Sequence, residues 1–201
     1  MRPAVRSNGS EDYEYILLYT DDVLAVFESP ERLIREGIGK YFELKQEFIG
    51  PPDIYLGGKM RKVKLKNEAE AWSFSSSQYV QAAVGNVETY LKERGKRLPA
   101  RAETPLRTVY RPELDTSPEL DASESAYFQS LIEVLRWMVE LGRVNICLEV
   151  SMMSSHLALP RRGHMNQLLH VFEYLKKHHN TEMVFDPSDP IVNQSDFERR
   201  D

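Results

Sequence analysis

The sequence predicts an α+β fold, with antiparallel strands before residue 75 and helices after it, on three observations. Two apolar runs, Tyr15-Ile16-Leu17-Leu18 and Val23-Leu24-Ala25-Val26-Phe27, flank a short polar turn. Between residues 43 and 74, short β-branched and aromatic runs are separated by Gly, Pro and Asn turns too brief for a crossover helix. From residue 75 onward, apolar residues recur at helical spacing behind capping residues.

The two apolar runs read as strands of one hairpin with Tyr19-Thr20-Asp21-Asp22 at its tip, where aspartate supplies turn chemistry. Ser29 then caps a helix with Pro30 at its first position, and Leu33, Ile34, Ile38, Tyr41 and Phe42 form the apolar stripe that covers one sheet face. Strands are expected at 43–48, 54–56 and 60–66, with a Gly-Pro-Pro turn at 50–52, and a short one at 72–74 after the turn Lys66-Asn67-Glu68. Ser75 to Ser77 cap a helix running to about residue 94, with Tyr79, Val80, Ala83, Val87, Tyr90 and Leu91 on one face. Gly95, Pro99, Pro105, Pro112 and Pro118 make 95–122 a long extended connection, and a subdomain boundary is expected there. Ser123 caps a helix to about residue 141, and helical segments at 143–156 and 161–179 follow. A strand at 182–185 comes last, before Asp186-Pro187-Ser188-Asp189-Pro190 ends regular structure.

A length of 201 residues with 41% hydrophobic content suffices for a buried core in one domain or two small ones. The single cysteine, Cys147, excludes an intramolecular disulfide and a cysteine-based zinc site, which fits a reducing, intracellular setting. His156, His164, His170, His178 and His179 are scattered and read as helix-surface or helix-end residues. No apolar run approaches the ~20 residues of a spanning helix, and the N-terminus is polar, so a soluble protein with no membrane partner is expected.

Asp21 and Asp22, adjacent carboxylates on a rigid hairpin, are either an ordinary turn or a site for a hard divalent cation. Mg2+ takes carboxylate oxygens together with substrate phosphates and waters. The net charge of −5 argues against wholesale polyanion binding, yet the cations cluster. Lys59, Arg61, Lys62, Lys64 and Lys66 share one eight-residue window, in which Lys62, Lys64 and Lys66 alternate with Val63 and Leu65. Lys92, Arg94, Lys96, Arg97 and Arg101 close the next helix and enter the loop after it. Either group suits a phosphate backbone, and either is equally a solvated strand face or a helix end whose charges complement the dipole.

The order of these motifs resembles the C-terminal half of the reverse transcriptase domain of copia-type LTR retrotransposons, over about residues 13–190. Tyr19-Thr20-Asp21-Asp22 is similar to that family's Tyr-Val-Asp-Asp hairpin, and Lys40-Tyr41-Phe42-Glu43-Leu44-Lys45 to its helix-to-strand exit. Tyr55-Leu56-Gly57 resembles the strand element that follows, Ser77-Gln78-Tyr79-Val80 the next helix start, and Thr104-Pro105-Leu106 the linker. Tyr127 with Leu131, Ile132 and Leu135, then Arg143, then His164 with Tyr174-Leu175-Lys176, resemble the last helices. The resemblance implies a partial polymerase palm over 1–74, with antiparallel hairpin, strands and covering helix, followed by a helical thumb and connection-like unit. Within that unit, a thumb-like helix and extended linker occupy 75–122, and a connection-like helical region with a C-terminal tail occupies 123–201.

In function, the resemblance implies an RNA-directed DNA polymerase that uses two Mg2+ ions for in-line nucleotidyl transfer. Asp21 is then the principal metal ligand and Asp22 its less direct catalytic partner, with Tyr19 near the primer terminus or template. Lys59, Arg61, Lys62, Lys64 and Lys66 contact the primer strand, and the partners are an RNA template with a DNA primer, or an RNA–DNA hybrid. The setting is intracellular, in a cytoplasmic particle or the nucleus.

Departures from the family pattern narrow this expectation. The family needs a further aspartate from an upstream palm strand and nucleotide-binding fingers, and this chain begins immediately before the hairpin. Asp12 lies nine residues before Asp21, which an extended strand converts to a separation of ~30 Å. The isolated chain is therefore expected to be inactive, with an exposed edge and apolar face on the 13–27 hairpin and the missing polymerase portion as a candidate partner. A ribonuclease H domain is likewise not expected within it. Thr20 replaces an apolar β-branched residue, Glu133 stands where the family has glycine, and Val144-Asn145 replaces Pro-Asp. A non-catalytic nucleic-acid-binding module and a decayed retroelement relic are the alternatives.

Overall fold

The computed structural model describes residues 4–5, 11–12, 15–26 and 29–188 of an α+β chain in which every strand pairing is antiparallel. Strands β1 (Ala4–Val5) and β2 (Glu11–Asp12) pair with each other, and β3 (Tyr15–Tyr19) and β4 (Asp22–Val26) form a separate hairpin. The helical stretch after it begins as α1 (Pro30–Arg32), widens into a π turn at Leu33–Gly37 and tightens into a 3-10 turn at Ile38–Lys40. Tyr41 and Phe42 lie past the last turn, 82% and 69% exposed, so the expected five-residue stripe stops at Ile38. Gly37 and Gly39, which add no side-chain contacts and cost backbone entropy, account for the early end.

The strand expected at 43–48 is not formed; a 3-10 turn at Gln46–Phe48 stands there. The Gln46 side chain accepts from Arg35 and donates to Leu44 O, and Ile49 N–H closes the turn on Gln46 O. Local bonds win because, among the described residues, the segment meets no strand to complete a ladder.

A four-stranded sheet follows in the order β5 (Ile54–Tyr55), β6 (Gly58–Lys64), β7 (Glu70–Ser75) and β8 (Met183–Phe185). Strand β8 returns from beyond the helices, setting Met183 opposite Phe74 and Phe185 opposite Trp72. A Cβ on Gly58 would lie 2.0 Å from the Phe74 ring, so only glycine lets that ring close over β6. Gly142, at φ +88°, meets Met183 and Phe74 and brings this face of the sheet against the end of the long helix described next.

Helices α2 (Ser77–Lys92), α3 (Ala122–Glu140), α4 (Cys147–Ser154) and α5 (Arg162–Lys177) share one core. Val80 and Val87 of α2, Phe128, Ile132 and Leu135 of α3, Met153 of α4, and Leu168, Phe172 and Leu175 of α5 are buried in it. Each of the larger side chains contributes roughly 1.5–3 kcal/mol of transfer free energy. Asp121, not Ser123, caps α3: its carboxylate accepts from Glu124 N–H at 2.8 Å while the Glu124 side chain accepts from Asp121 N–H. A carboxylate complements the helix dipole better than a hydroxyl, which decides between the two residues. The helix expected over 143–156 is a 3-10 turn at Val144–Ile146 followed by α4, because Gly142 turns the chain out of α3 and Arg143 is not helical. Glu133 faces solvent in mid-α3 and leaves the core packing intact.

The proline-rich connection at 95–121 is held in place by the polar side of α5. Gln167, fully buried, donates to Pro105 O and accepts from Arg107 N–H; His170 Nε2 meets Thr104 O; Lys176 donates to Leu98 O. His164 is buried rather than on a helix surface. Its Nδ1 accepts from Arg161 N–H, which makes Nε2 the donor to Pro112 O at 3.1 Å. His156 stacks on it with ring centroids 4.1 Å apart.

Burial first, then His164, holds the His156 imidazole below the usual histidine range, and burial followed by Arg107 does the same for His170. Both rings stay neutral in the fold while the unfolded chain takes up protons near the ordinary value of about 6.5. Stability is therefore complete above that value and declines as the pH drops below it, because the unfolded state binds more protons. The urea midpoint is expected to fall between about pH 7 and about pH 5, and the pair His156→Gln and His170→Gln to flatten that slope. An equal slope in the double variant would remove the histidines from the explanation.

A two-carboxylate hairpin tip and a basic strand

The hairpin register places Tyr19 opposite Asp22 and leaves Thr20 and Asp21 as a two-residue loop. Thr20 takes φ +52°, a left-handed value that glycine adopts freely and a β-branched residue adopts under strain. Its hydroxyl is exposed and has no burial to compensate. Asp21 and Asp22 are both exposed as well, one in the loop and one at the start of β4.

The tip is anchored on one side. Asp22 Oδ2 accepts from Leu56 N–H at 3.4 Å, in the turn where Leu56 and Gly57 take φ +50° and +76° to join Tyr55 to Gly58. Burial first, then the Asp22 carboxylate, raises the Tyr55 phenol above its ordinary value. The Tyr19 ring lies 5.8 Å from Trp137 of α3. These contacts connect residues too far apart in sequence for any local pattern to announce them; the strand expected over 54–56 stops at Tyr55, and Leu56 with Gly57 forms the turn.

The donor chemistry at the tip suits one hard cation. Two carboxylates with waters and a phosphate satisfy Mg2+. A metal pair needs more, and the described residues contain no group of three His, Cys, Asp or Glu side chains placed to hold a metal. Glu11 and Asp12 belong to the separate β1–β2 pair.

The basic strand is more neutralised than its sequence suggests. Arg61 donates to both carboxylate oxygens of Glu182 at 2.7 and 2.8 Å, Lys62 meets Glu70 at 3.2 Å, and Lys64 meets Glu68 at 3.5 Å. Lys62 also lies 5.9 Å from the Trp72 ring centroid. Among the described residues, Lys59 and Lys66 are exposed without an ion pair, and Lys66 sits past the end of β6 in the following turn. Strand alternation puts Lys62 and Lys64 on the side of buried Met60, and Lys59 and Arg61 on the side of Val63, so cations occupy both faces. The local alternation of lysines with Val63 and Leu65 does not extend along the whole strand.

Among the described residues, no helix is long and apolar enough to cross a membrane. No protein-family model, curated protein or solved structure matches the chain.

Proposed function

We propose that the chain is a fragment of an RNA-directed DNA polymerase of the copia retrotransposon type, which carries part of a two-metal nucleotidyl transfer site and does not add nucleotides alone. The observation that carries this reading is the tip itself: a Tyr-x-Asp-Asp string on a two-residue turn, with both carboxylates exposed and one anchored. A bound Mg2+ supplies charge neutralisation for phosphoryl oxygens. Asp21 holds it from the loop, Asp22 adds negative potential from the strand, and Tyr19, packed toward Trp137, flanks the approach. The primer strand of an RNA–DNA hybrid lies along β6, with Lys59 and Lys66 as the cations free to meet phosphate and Arg61, Lys62 and Lys64 as exchangeable ones.

The third carboxylate and the nucleotide-binding surface come, in this reading, from a separate polymerase segment docked on the hairpin. Strands β3 and β4 pair only with each other among the described residues, and Ile16, Leu18, Tyr19 and Val26 are 42–68% exposed. A two-stranded hairpin with that much apolar surface is marginal by itself.

Primer extension on an RNA template with Mg2+ should show no incorporation by the isolated chain. Robust incorporation that disappears in Asp21→Asn would overturn the claim of incompetence. Mn2+ added as a paramagnetic probe should broaden the backbone amide signals at the tip, and Asp21→Asn should abolish the effect; an unperturbed wild-type spectrum would dismiss the metal site.

A further inference from the structure

At the far end of α2, Gly95 takes φ +67° and the chain reverses, with Lys96 N–H bonding back to Leu91 O at 2.9 Å and Gly95 N–H to Lys92 O at 3.0 Å. The reversal sets Lys96 and Arg97 beside Lys92, and the loop then brings Arg101 to the same place. All four line a cleft of about 690 Å³ with Leu98 at its base and Lys176 of α5 in its wall. The carboxylate lining it is Glu88, and Glu88 is already paired with Lys176 at 2.7 Å. Lys92, Lys96, Arg97 and Arg101 make no side-chain hydrogen bond or ion pair among the described residues.

Complementing the helix dipole explains one or two cations in the last turn. Lys92 serves that role, and Arg94 donates to Tyr90 O while lying over the Tyr90 ring. Arg97 and Arg101 lie outside that explanation. Four uncompensated cations converging on one concavity repel one another and focus a positive potential, in a chain whose net charge is −5. Elsewhere on the surface, Arg61, Lys62 and Lys64 of β6 each have an acidic partner.

We infer that this cleft binds a compact anion bearing several phosphate groups. Its volume falls within the ~300–1,000 Å³ of small-molecule sites. Arg97 and Arg101 supply planar forks for phosphate oxygens, and Lys92 and Lys96 supply point charges. The site rests on its own residues and stands or falls separately from the polymerase reading.

Calorimetric titration of the full chain with inorganic tripolyphosphate, at low salt, tests it. One equivalent is expected to bind, and the triple variant Lys96→Gln, Arg97→Gln, Arg101→Gln to bind about tenfold or more weakly, since it loses three charge-assisted contacts to phosphate oxygens. Arg136→Gln, exposed in mid-α3, should bind as the parent does. Arg101→Gln alone, in the loop beyond α2, gives the same direction of change should the triple variant not fold. Absence of saturable binding, or equal binding by Arg101→Gln and a folded triple variant, overturns the site. So does binding of an RNA–DNA hybrid through these residues that tripolyphosphate fails to displace, which would make nucleic acid the ligand.

Discussion

Gly163→Ala should destabilise the protein by about 2 kcal/mol, although glycine to alanine in a helix normally gains up to ~1 kcal/mol. A Cβ at this position would lie 1.6 Å from Asp115 Oδ2 and 2.6 Å from its Cγ. The carboxylate cannot step aside without loss. It accepts from Tyr110 Oη at 3.0 Å and from Ser117 N–H at 2.8 Å, while Gly163 N–H donates to Ser117 Oγ at 2.8 Å. Burial raises the Asp115 carboxyl pKa, yet these bonds outweigh it and hold the group below the usual aspartate range. Moving it costs two bonds to a charged acceptor, which exceeds the gain in helix propensity. In an Asp115→Ala background, Gly163→Ala should become neutral or stabilising, because the obstruction is gone. Chemical denaturation of the four proteins in this cycle decides the matter, and a stabilising Gly163→Ala in the parent would refute the account.

The second large effect has the opposite sign. Asn145→Asp should stabilise the fold by about 1–2 kcal/mol at neutral pH by giving a buried arginine a counter-ion. Arg143 is 1% exposed; Nε donates to Asn145 Oδ1 at 3.1 Å, Nη1 to His179 O at 3.4 Å, and Nη2 has no partner among the described residues. Burial holds its guanidinium below the usual arginine range. No carboxylate pairs with it among the described residues. Asn145 Nδ2 donates to the Tyr174 hydroxyl at 2.8 Å, and in the variant that hydroxyl reverses its role and donates to the new carboxylate. A carboxyl beside a buried cation titrates below its unfolded value of about 3.9, so the gain is present above that value and is lost as the pH falls through the folded one. Melting curves near pH 7 and near pH 3 should show a raised midpoint at the first and a vanishing difference at the second. An unchanged midpoint at neutral pH would mean that Arg143 already has its charge compensated.

The same position shows what the sequence can and cannot disclose. Under the proposed retrotransposon resemblance, aspartate is expected where Asn145 stands, and the residue change could be read from the sequence. Its consequence, an arginine buried without a carboxylate, required the packing of Tyr174 and His179 around it. Elements with strong periodicity emerged close to expectation: the 15–26 hairpin, α2, α3 and α5 differ by a few residues at their ends. Those ends followed rules of electrostatics and backbone freedom, as Asp121 and Gly142 show. The segment at 43–48 misled because β-like composition does not supply a neighbour to pair with.

At the site, local chemistry was legible and long-range pairing was not. Nothing near Arg61 in the sequence points to Glu182, and nothing near Lys92 or Arg101 points to Lys176 in their cleft. The histidines illustrate the same division. Their dispersal along the chain argued against a metal centre, but only tertiary contact reveals His164 as the support of the Pro112 carbonyl.

Strand β8 pairs with β7 across more than one hundred intervening residues. Its position gives the sheet a folding schedule. During synthesis the N-terminal strands emerge long before their last neighbour, so the β7 edge remains unpaired until residue 185 has left the ribosome and the loop closes over the helices. In the interval, the exposed ladder of β7 is the place where a nascent chain is most open to capture by a chaperone or by another copy of itself.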